Sequence, residues 1–226
     1  RDEVDGVAIG KNAVAKLAVS VGPQSFSKDF GVSIGYKAGA ENTTTGFSYS
    51  NIAIGSNTRV GVSGKKAAQG IAIGSGIQAD EGAWAKGDQS IAIGANTVAN
   101  GDSSIVIGGD DLVAVSNSTS SYEKKIFDKN GNQVGSTVTV NKNLNQIFSD
   151  LTGRGSILAT NQTIDGIQYK MYRDAEAGQG AVSLGVKSIS GDIALAIGTM
   201  AEAKGINSVA IGTGAQAPQA NAVAIG

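Results

Sequence analysis

Along the chain, one hydrophobic pattern dominates: aliphatic–small–aliphatic–Gly, repeated eleven times in 226 residues. The closing glycines are Gly10, Gly22, Gly35, Gly55, Gly74, Gly94, Gly108, Gly185, Gly198, Gly212 and Gly226. Their successive spacings are 12, 13, 20, 19, 20, 14, 77, 13, 14 and 14 residues. The base period is therefore near 14, with three lengthened copies and one large interruption. Such a period marks a stacked, repetitive architecture. The aliphatic pairs are Val7/Ile9, Val19/Val21, Val32/Ile34, Ile52/Ile54, Ile71/Ile73, Ile91/Ile93, Ile105/Ile107, Val182/Leu184, Leu195/Ile197, Val209/Ile211 and Val223/Ile225. Twenty of these twenty-two residues are β-branched, which favours strand over helix. Residues two apart share one face of a strand, so both members of each pair are expected to point into one core. The Gly that follows permits a turn that a Cβ would resist.

A weaker alternation of small residues follows each Gly, as in Thr97-Val98-Ala99, Ala201-Glu202-Ala203 and Ala215-Gln216-Ala217. At ~3.3 Å per residue, fourteen residues trace only ~46 Å of contour, enough for two short strands and two tight turns. Each period thus predicts one flat coil, with Ile and Val packed on Ala of the opposite strand. Coils stacked ~4.8 Å apart through parallel ladders make a rod about 50 Å long. Between the aliphatic partners stands a second column: Ala8, Ser20, Ser33, Ala53, Ala72, Ala92, Val106, Ser183, Ala196, Ala210 and Ala224. If the aliphatic pairs face inward, this column faces outward, where Lys, Glu, Gln and Thr would be usual. Its small residues instead predict close approach of another backbone, hence an oligomer interface. A smooth, solvated Ala face is the alternative.

Composition narrows the chemistry. With 18 basic and 19 acidic residues the net charge is −1, which argues against nucleic acid or an anionic membrane as partner. The chain has no His and no Cys. A Ser-His-Asp triad, a Cys nucleophile, and a thiolate or imidazole zinc site are thereby excluded, and no cofactor is expected. No apolar run approaches the ~20 residues that span a bilayer. An export signal or membrane anchor is expected outside this stretch. Carboxylates alone can do acid–base work on glycosides, but the repeat places no facing pair. No enzymatic activity is expected.

The segments Ser90-Ile91-Ala92-Ile93-Gly94, Ser208-Val209-Ala210-Ile211-Gly212 and Ala222-Val223-Ala224-Ile225-Gly226 closely resemble the Ser-Val-Ala-Ile-Gly head repeat of trimeric autotransporter adhesins, the YadA-like head. The resemblance runs over residues 7–108 and 182–226. It implies an all-β, left-handed parallel β-roll solenoid, three chains about one axis, and a cell-surface position on a stalk and outer-membrane anchor lying beyond this stretch. The long inserts are most similar to the head of a ubiquitous surface protein A adhesin. The resemblance also implies attachment to host matrix proteins (fibronectin, laminin or collagen) or host cell receptors. A non-binding structural spacer is the alternative function.

Three segments are predicted: coils over 1–108, an α+β insertion over 109–181, and coils over 182–226. In the insertion, residues 122–127 and 134–140 flank Asp128-Lys129-Asn130-Gly131, a hairpin signal. Leu144, Ile147, Phe148 and Leu151 fall at helical spacing, and residues 157–158 and 164–172 offer strand material. The lengthened coils supply loops 41–50, 61–69 and 80–89, which carry Phe47, Tyr49, Lys65, Lys66, Trp84 and Lys86. Aromatic residues beside Lys on loops of a rigid scaffold are candidate ligand contacts. Packing of Trp84 or Phe47 on the neighbouring coil is the structural alternative.

Overall fold

The computed structural model describes residues 5–40, 50–62, 65, 67–164 and 167–226. Every aliphatic–small–aliphatic segment forms a short strand, and the eleven strands stack in chain order into one parallel sheet. The register is residue for residue: Ile71 lies beside Ile91, Ile91 beside Ile105, and Ile105 beside Val182. The lengthened coils keep this register, since Val32 pairs with Ile52 and Ile52 with Ile71. Their extra residues leave the ladder untouched. A second parallel sheet of nine strands takes a segment after each of the first nine motifs, including Thr97–Ala99 and Glu202–Ala203. The strand predicted around Gln216 is reduced to a single parallel bridge with Glu202. The architecture is the predicted parallel β-roll.

Inside and outside are the reverse of the expectation. Ser20, Ser33, Ala53, Ala72, Ala92, Val106, Ser183, Ala196 and Ala210 are 0% exposed within a single chain. Ala8 and Ala224, on the terminal coils, are more open. Across the roll this column meets Val60, Ala85, Ala99, Ala177 and Ala203, all likewise buried at 0%. The aliphatic partners point outward: Ile9 is 58% exposed, Ile34 40%, Ile107 44% and Ile225 75%. The Ala/Ser column therefore fills the roll and offers no surface to another chain. The reason is size. A ~46 Å coil carrying two strands holds its sheets too close for two facing layers of Ile and Val, so small residues take both inner faces.

The turns explain the rest of the repeat. At Gly94 φ is +119°, a region closed to L side chains. A Cβ there would also stand 1.9 Å from the Gly108 carbonyl oxygen of the next coil. Three residues after a turn Gly, a Ser or Thr hydroxyl donates back to that Gly carbonyl, at 2.8 Å for Ser25, 2.8 Å for Thr58 and 2.7 Å for Ser90. The residue before the hydroxyl takes positive φ, as Gln24, Asn57 and Gln89 do. These turns are thus closed by Gly, a left-handed residue and a hydroxyl; where Ala takes the third place, as Ala13 and Ala38 do, its backbone N–H donates to the Gly carbonyl at 3.2 and 3.3 Å.

The roll comprises residues 1–110 and 173–226, and residues 111–172 form a separate unit. The insertion is shorter than the predicted 109–181. Ala175–Ala177 is a second-sheet strand of the roll, paired with Thr97–Ala99. A boundary keyed to the aliphatic motif misses it because its residues are Ala, Glu and Ala. Within the insertion, Thr119–Lys124 and Val138–Asn143 form the predicted hairpin, antiparallel, with Tyr122 opposite Val140. The predicted helix spans Leu144–Thr152; Asn143 caps it by accepting from the Gln146 amide, and left-handed Gly153 ends it. Its Ile147 and Phe148 are buried. A short helix, Val113–Asn117, precedes the hairpin, and residues 164–172 contribute one arm of a small hairpin, Gln162–Ile164 with Ile167–Tyr169. Residues 157–158 form no strand, although Ile157 and Leu158 are buried.

Candidate functional site

Of the six predicted contact residues, Phe47, Tyr49 and Lys66 lie outside the described residues. The other three come together. Lys65, Trp84 and Lys86 line one cleft of about 690 Å³ in the roll, with Asp88, Asn100, Asp102 and Gln179 on its polar side.

Trp84 opens the second-sheet strand Trp84–Ala85, in which Ala85 faces the core and Trp84 therefore faces out. The strand is paired on both sides, with Arg59 and Val98 in register with Trp84. The indole Nε1 donates to the Gly61 carbonyl at 2.8 Å. The Arg59 guanidinium stands 4.0 Å from the ring centroid and the Lys86 ammonium 4.2 Å, both cation–π distances. Trp84 is thus half-buried and tied to its own coil and the preceding one, as the structural alternative anticipates. It forms a fixed wall.

Lys86 donates to the Asn100 Oδ1 at 3.0 Å, and the Asn100 amide donates to Glu176 at 3.1 Å, a polar chain across three coils. Burial holds the Lys86 ammonium below its ordinary value of 10.5; Arg59 and Lys65 add to this, while Glu176 and Asp174 oppose it. Nearby, Asp174 is shifted the other way. Burial, then the charges of Glu176 and Asp110, raise its carboxyl above the ordinary 3.8.

The acidic edge of the cleft belongs to a ladder that the sequence analysis missed. The Asp88 carboxylate accepts from the Ala68 amide at 2.7 Å, and that of Asp102 from the Asp88 amide at 2.9 Å. The Gln179 side chain accepts from the Asp102 amide at 2.9 Å, and Asp192 from the Gln179 amide at 2.9 Å. Each coil thereby satisfies a turn N–H of the coil before it, a donor that no strand ladder reaches. The signal is legible afterwards as Gly-Asp or Gly-Gln at the second turn: Gly87-Asp88, Gly101-Asp102, Gly178-Gln179, Gly191-Asp192.

A second cluster, also unforeseen, sits on the outer face of the later coils. Glu202, 3% exposed, pairs with Arg173 at 2.6 Å and with Lys204 at 2.8 Å. Arg173 also donates to the Lys187 carbonyl. Burial alone would raise the Glu202 carboxyl, but the Lys204 hydrogen bond and the Arg173 charge outweigh it and hold the group below the ordinary 4.5. Asp110 and Asp111, adjacent in sequence, act locally: Asp110 accepts from Asn96 at 2.6 Å, and Asp111 from the Val113 amide at 2.7 Å. Among the described residues no helix is long and apolar enough to cross a membrane.

The comparisons agree with the geometry. A family model, the YadA head domain repeat, matches residues 85–110, 190–215 and 203–226. No curated protein matches the chain. The matched stretches are the regular 14-residue coils, where motif, turn and second strand recur without added loops. The chain carries YadA head domain repeats over these residues, stacked as coils of a parallel roll, and is similar there to the YadA-like heads of the trimeric autotransporter adhesins.

Proposed function

We propose that this chain is the cell-surface head of a bacterial adhesin that assembles as a homotrimer and attaches to host matrix proteins or host cells. An adhesin-type role follows from the family in general. The observation that supports the assembled form is the outer face of the motif sheet. Eleven strands present paired Ile, Val and Leu side chains there, with Ile107 44% and Ile73 36% exposed. At its first coils the stripe opens into an apolar cavity of about 650 Å³ lined by Val7, Leu17, Val19, Phe30 and Val32. A continuous apolar stripe of this length marks an interface. The occupants are two further copies of the chain, packed through the aliphatic stripe and not through the Ala/Ser column. Attachment then works by avidity, since three copies per head and many heads per cell let weak single contacts suffice. The head is held away from the outer membrane by a stalk and anchor.

Light-scattering mass and solid-phase binding to fibronectin, laminin and collagen test this together. The expected mass is three chains, and Ile73→Asp with Ile107→Asp lowers it to one. A monomeric wild type refutes the assembly. Failure to bind any matrix protein or host cell refutes attachment by this head. Excising 111–172 and, separately, replacing Trp84 then tells binder from spacer, because a spacer loses nothing by either change.

A further inference from the structure

Lys86, Asn100 and Glu176 stand in an order that stacking of the coils does not require. Lys86 Nζ donates to Asn100 Oδ1 at 3.0 Å, and Asn100 Nδ2 donates to Glu176 Oε2 at 3.1 Å. An amine, a primary amide and a carboxyl group thus follow one another on three successive coils. We propose that they form a cross-linking site, where Lys86 and Asn100 condense into an isopeptide bond with release of ammonia and Glu176 carries the proton. The bond would staple one coil to the next, and it does not rest on the adhesin reading.

The geometry is close to that of reaction. The carbonyl carbon of Asn100 lies ~1.23 Å from its Oδ1, so Lys86 Nζ is at most ~4.2 Å from the carbon it must attack. Reacting atoms need about 3–3.5 Å, which a small rotation of the lysine side chain supplies. The two backbones are already fixed. Trp84 and Ala85 pair in register with Val98 and Ala99, and the Lys86 amide donates to the Ala99 carbonyl at 2.9 Å. Groups held this way reach effective concentrations of about 10⁵–10⁸ M in well-oriented cases, and one turnover in the life of the protein is enough. The Trp84 ring covers the amine on one side, with Nζ 4.2 Å from its centroid. Burial, helped by the Arg59 and Lys65 charges, lowers the Lys86 ammonium against the pull of Glu176 and Asp174. More of the amine is therefore in its neutral, nucleophilic form than in a free lysine. The comparable contacts between coils, Gln89 with Gln69 and Asn207 with Asn221, bring together two amides and no amine.

The chemistry balances without an oxidant, a reductant or a further reactant. The neutral Lys86 Nζ attacks Asn100 Cγ and a C–N bond forms. A proton passes from Nζ to the Glu176 carboxylate and from there to Nδ2, to which Glu176 is already hydrogen-bonded. The Cγ–Nδ2 bond then breaks, ammonia leaves, and a secondary amide joins the two side chains.

The test is mass spectrometry of the intact head, followed by peptide mapping. The expected intact mass is lower than the sequence mass by one ammonia. Trypsin should pass over the acylated Lys86, giving a single peptide of residues 67–124, and a second cut before Asp88 should leave the stretches on its two sides joined. Lys86→Met, confirmed as folded by circular dichroism, is expected to keep its full mass, and so is Glu176→Gln. The wild-type maps decide even where a variant fails to fold. A wild-type head of full sequence mass, unchanged after prolonged incubation, overturns the proposal. So does an ammonia loss with Lys86 still cut by trypsin, which would place a succinimide at an Asn–Gly step such as Asn100-Gly101. A Glu176→Gln head that links as fully as wild type overturns the role given to that carboxylate.

Discussion

Replacing Ala92 by Leu puts the inversion of the roll to the test. Ala92 is 0% exposed, stacked between Ala72 and Val106 on its own sheet and grouped with Ala85 and Ala99 in one buried cluster. Leu adds three carbons where the neighbouring rungs and the facing sheet leave only methyl-sized space. Adding methylenes to a filled core costs about 1–3 kcal/mol, and occasionally more, because the backbone must shift. Stacked coils have little freedom to shift, since a displaced strand breaks parallel ladders on both sides, so the upper end is expected. For a domain of this size that is a fall of roughly 6–12 °C in melting temperature. The assay is a circular-dichroism melt at fixed protein concentration, with light-scattering mass at 20 °C as the second readout. Ile93→Leu, one residue on and facing out, is the control and is expected to change the melt by less than about 1.5 kcal/mol. An Ala92→Leu head that melts like wild type but loses its assembly refutes the reasoning, for it would put the Ala/Ser column between chains and the aliphatic pairs inside.

Gly94→Ala is expected to destabilise the roll by about 1–3 kcal/mol from the backbone alone. The clash with the Gly108 carbonyl adds to this, and a melt unchanged from wild type would contradict the stacked glycine column. Asp174→Asn is expected to stabilise at neutral pH. The folded carboxyl is raised above its ordinary 3.8, so its charged form weakens the fold above that raised value; the gain shrinks as pH falls and vanishes below about pH 4. Melts at pH 7.5 and 3.5 show this, and an equal gain at both would remove ionisation as its cause. Glu202→Ala strands Arg173 with an unpaired charge and is expected to cost about 3 kcal/mol at neutral pH. Since the folded Glu202 carboxyl lies below its ordinary 4.5, wild type keeps this contribution above that value and loses it as pH falls through the lowered one. The gap between variant and wild type should therefore close in acid, as urea titrations at pH 7 and pH 3 would reveal.

What the sequence disclosed depended on whether the physics was local. The strands, the coil period and the turns are local: β-branched pairs two apart, Gly at φ above +100°, a hydroxyl three residues on. The pairs and the closing Gly can be read within Ser90-Ile91-Ala92-Ile93-Gly94 and the period from its recurrence, whereas the hydroxyl three residues beyond a turn Gly is not singled out there. Alternation then says that Ile91 and Ile93 share a face and Ala92 takes the other, but not which face is inside. The usual preference places the larger apolar residues inside, and here it misleads because sheet separation is set by coil length, a property of the whole turn. The predicted boundary at 181 failed for a related reason: Ala175–Ala177 joins the roll by pairing with Thr97–Ala99, 78 residues away, and has no motif of its own. The candidate site was half legible. Trp84, Lys65 and Lys86 stood out as an aromatic residue with cations on loops. Their partners Asn100, Asp102 and Gln179 did not, because they reach the cleft only through the stacking of coils distant in sequence.

The inversion also explains why a thin roll is a workable scaffold. A core of Ala and Ser contributes little apolar burial per residue, at ~0.8 kcal/mol for each buried CH₂. Its larger aliphatic residues remain half-exposed on the outer face of the motif sheet, so in the proposed trimer much of the chain's capacity for apolar burial is realised only when copies meet. Folding and assembly are then linked by mass action. Under the proposed assembly the two sheets divide the work: the aliphatic face serves self-association, and the second sheet with Trp84, and the turn beside it with Lys86 and the carboxylate ladder, are left to vary. Lengthened coils fit this division, because residues added between strands preserve the Val32–Ile52–Ile71 register that association depends on while changing what the head presents.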